Sequence, residues 1–142
     1  MTRSPFAGIV GCGDGRVIAP AVDYMKAYFG AKFVDYVSEP GCDRVISTGP
    51  GQVEELKRQY FIYFRAHGHI AAAVAGHEYC AANPSSKVEH LEAIRIGVHV
   101  MLGWELRIPV IGLWIVETNP LQELWQVQAV YDPRLGKSFE EI

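Results

Sequence analysis

Residues 70–75 read Ile-Ala-Ala-Ala-Val-Ala, an uninterrupted apolar run of strand length. A strand this apolar has no face to offer water, so it belongs inside a sheet that is covered on both sides, as a central parallel strand is. Val110–Val116 reads the same way, and Ala7–Cys12 is a shorter apolar run that leads into glycine-rich chain. Lys32–Val37 is β-branched and aromatic and stops before Glu39-Pro40-Gly41, which marks another strand. Trp125–Tyr131 alternates apolar and polar residues in the manner of an edge strand.

Helical spacing fills the intervals. Val17–Phe29 sets Ile18, Val22, Met25 and Phe29 on one stripe, with Gly30 as its stop. Gln52–Ala66 follows Gly49-Pro50-Gly51 and repeats apolar residues at Val53, Leu56, Tyr60 and Tyr63. Asn83-Pro84-Ser85-Ser86 supplies capping chemistry for a third helix running to about Leu106, whose core stripe is Leu91, Ile94, Val98 and Met101. Strands alternating with helices imply right-handed crossovers. The expected fold is a single α/β domain over residues 1–142, its mostly parallel sheet ordered 2-1-3-4 with a last strand at the edge and helices on both faces.

Bulk properties narrow the function. Apolar residues are 49% and charged residues 20% of the chain, which suits a soluble globular protein. A net charge of -3 gives no reason to expect nucleic acid or an anionic membrane as partner. No apolar run approaches the ~20 residues that a bilayer span requires. The cysteines number three, an odd count, and no export signal precedes them. That favours a reducing compartment, the cytoplasm, in which thiols act as ligands, nucleophiles or packing.

In open parallel sheets, ligands bind beyond the carboxyl ends of the strands. The loops there read Gly11-Cys12-Gly13-Asp14-Gly15-Arg16 after the first strand and Gly76-His77-Glu78-Tyr79-Cys80 after the third. Thiolate and imidazole are the zinc ligands of a reducing compartment, and a single turn can aim both His77 and Cys80 at one ion. Cys12 converges on them if strands one and three are neighbours, and the glycines around it allow a tight turn and a close approach. Water or a carboxylate such as Asp14 completes the tetrahedron. The Arg16 fork suits a bidentate bond that would hold Asp14 off the metal and leave the position to water. Glu78 and Tyr79 either point into the site or pack. Cys42 has no ligand at suitable spacing and reads as packing or an incidental loop thiol. His67 and His69 read as surface or strand-entry residues, and Trp104, Trp114 and Trp125 as core or interface rather than pocket walls. A dinucleotide fingerprint fails because Arg16 occupies the place of its third glycine. A phosphatase-like Cys12 nucleophile fails because Ile18 stands where arginine is needed.

The pair Cys12-x-Asp14-x-Arg16 and His77-x-x-Cys80 resembles the two signature motifs of the β-class carbonic anhydrases, in the right order and each after an expected strand. The resemblance runs from the first strand to about Val116. It implies that Cys12, His77 and Cys80 bind Zn2+, that Asp14 and Arg16 form a catalytic dyad, and that a metal-bound hydroxide hydrates CO2 reversibly to bicarbonate. It also implies a homodimer with the cleft at the subunit interface. The sequence departs from the family at Gly13 and Gly15, at Ala81-Ala82, and at Glu39–Arg44, where an Arg-Asn-Ala-Gly segment is usual; it also begins close to its first strand, without the N-terminal helices of many members. These departures leave two alternatives: another small heterocumulene such as COS or CS2 as substrate, or a non-catalytic zinc module with Asp14 as fourth ligand.

Overall fold

The computed structural model describes residues 3–136 and 138–142. Strands β1 (Phe6–Gly11), β2 (Phe33–Ser38), β3 (His69–His77), β4 (Val110–Asn119), β5 (Leu124–Tyr131) and β6 (Glu140–Glu141) form one sheet in the order β2-β1-β3-β4-β5-β6. The first four are parallel, and β5 and β6 add antiparallel at the far side. The expected order is therefore present. The two-residue β6 pairs with Ala129 and Val130, so the outer side of β5 is partly covered.

Alternation along the buried strands builds a core on each face. On one, Ala7, Ile9, Ala71, Ala73, Ala75, Ile111, Leu113 and Ile115 meet Val17 and helix α1 (Ile18–Phe29) through Ala21 and Met25. On the other, Val10, Ala72, Val74, Val110 and Trp114 meet α2 (Cys42–Thr48), α3 (Pro50–His67) and α4 (Lys87–Leu102) through Ile46, Leu56, Tyr60, Ile94, Val98 and Met101. The alanine run of β3 makes both faces thin enough for helices to approach closely, which places β3 at the centre of the molecule.

Helix α1 stops at Gly30, at a φ of 73°, as its sequence predicts. The cap of α4 is Ser86, whose hydroxyl accepts the Glu89 N–H while the Glu89 carboxylate accepts the Ser86 N–H, a complete capping box. That helix ends at Leu102 and not near Leu106, because Glu105 and Arg107 take φ values of 59° and 60°, a left-handed backbone that no α-helix continues through. Helix α2 covers residues that the sequence pattern presents as loop. With seven residues it is too short for an apolar period to stand out.

Candidate metal centre

Three side chains from two segments, the loop after β1 and the end of β3, meet at the carboxyl end of β1 and β3. His77 is the last residue of β3 and is only 1% exposed. Its Nδ1 lies 2.7 Å from the Glu78 carbonyl oxygen. A carbonyl can only accept, so Nδ1 carries the proton and Nε2 keeps its lone pair. Nε2 is buried and has no hydrogen-bond partner among the described residues. Burial also lowers the pKa of His77, which keeps the ring neutral and able to ligate.

Beyond His77 the chain reverses through Glu78 and Tyr79. Tyr79 adopts a φ of 56°, a left-handed conformation that costs a non-glycine residue about 1 kcal/mol. The reversal returns Cys80 to the end of the strand. The Sγ atoms of Cys12 and Cys80 and a ring nitrogen of His77 all lie within 4.8 Å of one another. Burial raises the Cys80 thiol pKa, and the neighbouring Cys12 raises it further, while the Ala82 and Asn83 N–H groups oppose the shift. Two thiols and an unpartnered imidazole nitrogen in one buried pocket are a donor set that fits a soft-to-borderline dication, whose charge removes the penalty of ionising both sulfurs.

The glycines flanking Cys12 act differently from expectation. Gly11, Gly13 and Gly15 all avoid the left-handed region, so no tight turn requires them. A Cβ on Gly11 would stand 2.5 Å from the Tyr36 hydroxyl oxygen. The space Gly11 leaves lets that hydroxyl donate to the Cys12 carbonyl at 2.8 Å, which ties the Cys12 loop to β2.

Asp14 does not join the three-residue cluster. Its Oδ1 accepts from the Arg16 backbone N–H at 2.9 Å and from Nε at 3.0 Å, and its Oδ2 accepts from Nη2 at 2.7 Å. The Arg16 side-chain bonds hold the Asp14 carboxyl down to about 2, against the opposing effect of partial burial. Asp14 still lies close enough to His77 for its charge to act there. The Arg16 guanidinium carbon sits 4.4 Å above the Trp125 ring centroid, and Nη2 reaches the Tyr79 carbonyl oxygen at 3.4 Å.

A family model described as "Putative carbonic anhydrase" matches residues 2–131, nearly the whole chain. The chain belongs to this carbonic anhydrase family. No curated protein sequence matches it closely enough to serve as a relative.

Three supports for this carbonic anhydrase family member's centre were not visible in the motifs. Trp125 is core, as expected, yet it is also the platform for Arg16 and lies edge-on to the His77 ring at 6.4 Å. Trp114 is core too, but it borders a cavity of about 440 Å³ with Glu78, His90 and Glu117. The third is a buried polar cluster on α2, α4 and the loop between Cys80 and α4. Asp43, 2% exposed, bonds the His90 ring through Oδ2 and accepts from Asn83 Nδ2 at 3.0 Å and from the Arg44 N–H at 2.9 Å through Oδ1. The Ser85 hydroxyl closes the cluster by donating to Asn83 Oδ1. Asp43 lies against Gly76, where a Cβ would approach its Oδ2 to 2.9 Å, so the cluster braces the residue before His77. A run reading Cys42-Asp43-Arg44 offers no hint of this, because the partners come from residues 83–90.

Cys42 is fully buried at the start of α2, and burial pushes its thiol pKa well up. It stands outside the three-residue cluster, as packing. Glu78 turns to the chain, its Oε1 accepting the Glu117 N–H at 2.8 Å, while Tyr79 is 70% exposed. Among the described residues, no helix is long and apolar enough to cross a membrane.

Proposed function

We propose that Cys12, His77 and Cys80 hold one zinc ion and that the protein hydrates CO2 reversibly to bicarbonate. The observation that carries this reading is the buried, unpartnered Nε2 of His77 in a pocket shared with two thiols. An orphaned buried nitrogen lone pair is costly unless a ligand satisfies it. Bound zinc supplies a Lewis acid that brings the pKa of a coordinated water from 15.7 to roughly 7.

The remaining work falls to the chain. Glu78 fixes the His77 tautomer through its backbone carbonyl, so Nε2 is always the ligating nitrogen. Arg16 turns both Asp14 oxygens toward itself, which would keep the carboxylate off a bound ion and leave water as its remaining ligand. Asp14 remains an anion across the neutral range and acts as a hydrogen-bond acceptor that orients the attacking water toward CO2. Trp125 stiffens the dyad by stacking beneath Arg16, a contact of about 0.5–1 kcal/mol where partly exposed. The bidentate bond weighs against the non-catalytic alternative, since Asp14 as fourth ligand would have to leave Arg16. A homodimer in the cytoplasm belongs to the same reading.

The test is stopped-flow CO2 hydration between about pH 7 and 9, with metal content measured on the same sample. Zinc whose binding depends on the two cysteines, together with turnover, supports the assignment. Zinc without CO2 turnover moves the substrate to COS or CS2, or the role to structure. A protein that takes up no zinc on reconstitution overturns the ligand set, and Cys80→Ser is expected to lose the ion.

A further inference from the structure

A second set of metal-ligating side chains lies toward the amino-terminal end of the strands, built independently of the cysteine centre. Asp35 in β2, His67 at the end of α3 and His69 at the start of β3 bring a carboxylate oxygen and two ring nitrogens within 4.8 Å of one another. Both rings converge on a single atom: Asp35 Oδ2 lies 2.7 Å from His67 Nδ1 and 2.8 Å from His69 Nε2.

This meeting is not forced by neighbouring strands, because β1 runs between β2 and β3. It is permitted by Gly8, which pairs with Asp35 in register and has no side chain to fill the space above it. A Cβ there would stand 2.5 Å from the His69 ring. The opposite nitrogen, His69 Nδ1, is held by the Tyr60 hydroxyl at 2.8 Å, and Phe6 stacks on the His67 ring at 4.1 Å. A ligating histidine oriented through its second nitrogen and a ring locked by an aromatic face are the supports that metal sites need. His69 is buried, while the His67 side chain is 35% exposed, so one side of the cluster opens to solvent and can admit an ion with its waters.

We propose that Asp35, His67 and His69 form a second divalent-metal site, with two imidazoles and one carboxylate as ligands, for zinc or a similar borderline first-row ion. Imidazole with one carboxylate selects such ions over calcium or magnesium. Bond lengths near ~2.0 Å set ligand-to-ligand edges of roughly 3.3 Å, so each ring nitrogen would withdraw from the carboxylate oxygen by roughly half an ångström. The partly exposed His67, at the end of its helix, makes that adjustment by sliding in the plane of its stack on Phe6. The ion would cross-link β2, α3 and β3 over the intervening β1. The site lies about four residues along β1 from Cys12, roughly 13 Å, and is chemically distinct because it contains no sulfur.

Cobalt(II) titration of the metal-free full chain distinguishes the two centres, since only the cysteine site gives an intense near-ultraviolet thiolate-to-cobalt band. Two equivalents are expected for the wild type, the second adding visible d–d absorption without thiolate intensity. His67→Ala and Asp35→Asn should each reduce the stoichiometry from two to one and leave the thiolate band unchanged. Cys80→Ser should lose that band and retain the sulfur-free site, so failure of one centre is read separately from failure of the other. Wild type and His67→Ala with the same stoichiometry, or a second equivalent that survives both Asp35→Asn and His67→Ala, would overturn the proposal and leave the cluster a hydrogen-bond network.

Discussion

Arg16 grips Asp14 with both arms of its guanidinium, Nε on Oδ1 at 3.0 Å and Nη2 on Oδ2 at 2.7 Å, while its own plane rests on Trp125. Two parallel charge-assisted bonds fix the carboxylate in a way that a single point charge cannot. Arg16→Gln is expected to retain zinc and to lose CO2 turnover by at least about tenfold, or about 1.4 kcal/mol of transition-state stabilisation. Arg16→Lys should fall between it and the wild type. Paired metal analysis and stopped-flow rates decide this, and an Arg16→Gln protein of full activity would remove the dyad from the mechanism.

The buried Asp43 carboxylate joins α2, α4 and the loop that follows Cys80. Asp43→Ala leaves His90 and Asn83 without their shared acceptor, a loss of about 3 kcal/mol. The expected fall in Tm is roughly 10 °C. Thermal melts of the metal-free proteins measure it, and a shift within error of zero would mean that the cluster carries no net stability.

Asp132 is buried and accepts from the backbone N–H, Nε and Nη2 of Arg134, and the Tyr28 hydroxyl also donates to it at 3.4 Å. The Arg134 side-chain bonds, ahead of the opposing burial, lower its pKa below the usual 3.8. A carboxylate with a depressed folded-state pKa contributes stability in full above its unfolded value and loses it as pH falls through the folded one. The stability difference between wild type and Asp132→Asn should therefore be constant above about pH 5 and shrink below about pH 4. Denaturant melts across that range test the sign; a difference that grows on acidification contradicts it.

Gly8 is the position with least room for a side chain on β1: an added Cβ would meet the His69 ring at 2.5 Å and the Tyr60 ring at 2.8 Å. Both rings are held by tight packing and by their mutual hydrogen bond, so neither swings aside freely. Gly8→Ala is expected to destabilise the protein by about 1–3 kcal/mol despite alanine's better strand entropy. An unchanged or raised denaturation midpoint would show that the rings can yield.

The order of elements and the candidate ligand motifs were local properties of the chain. The apolar run at Ile70–Ala75 is typical of a strand buried on both faces, and it is so from Ala71 onward, while helical spacing around it points to a parallel sheet. Once β1 and β3 are neighbours, Cys12 and the His77–Cys80 pair must emerge at the same end, so the cysteine cluster was legible before any coordinates. What only tertiary structure decided were contacts between segments with no sequence pattern in common. Trp125 lies beneath Arg16 because β5 folds back antiparallel on β4; Asp43 finds Asn83 and His90 because α2 packs on α4; Asp35 meets His69 because Gly8 leaves a gap in the strand between them. Periodicity reports which side of an element faces the core, but it cannot report which distant polar group is waiting there.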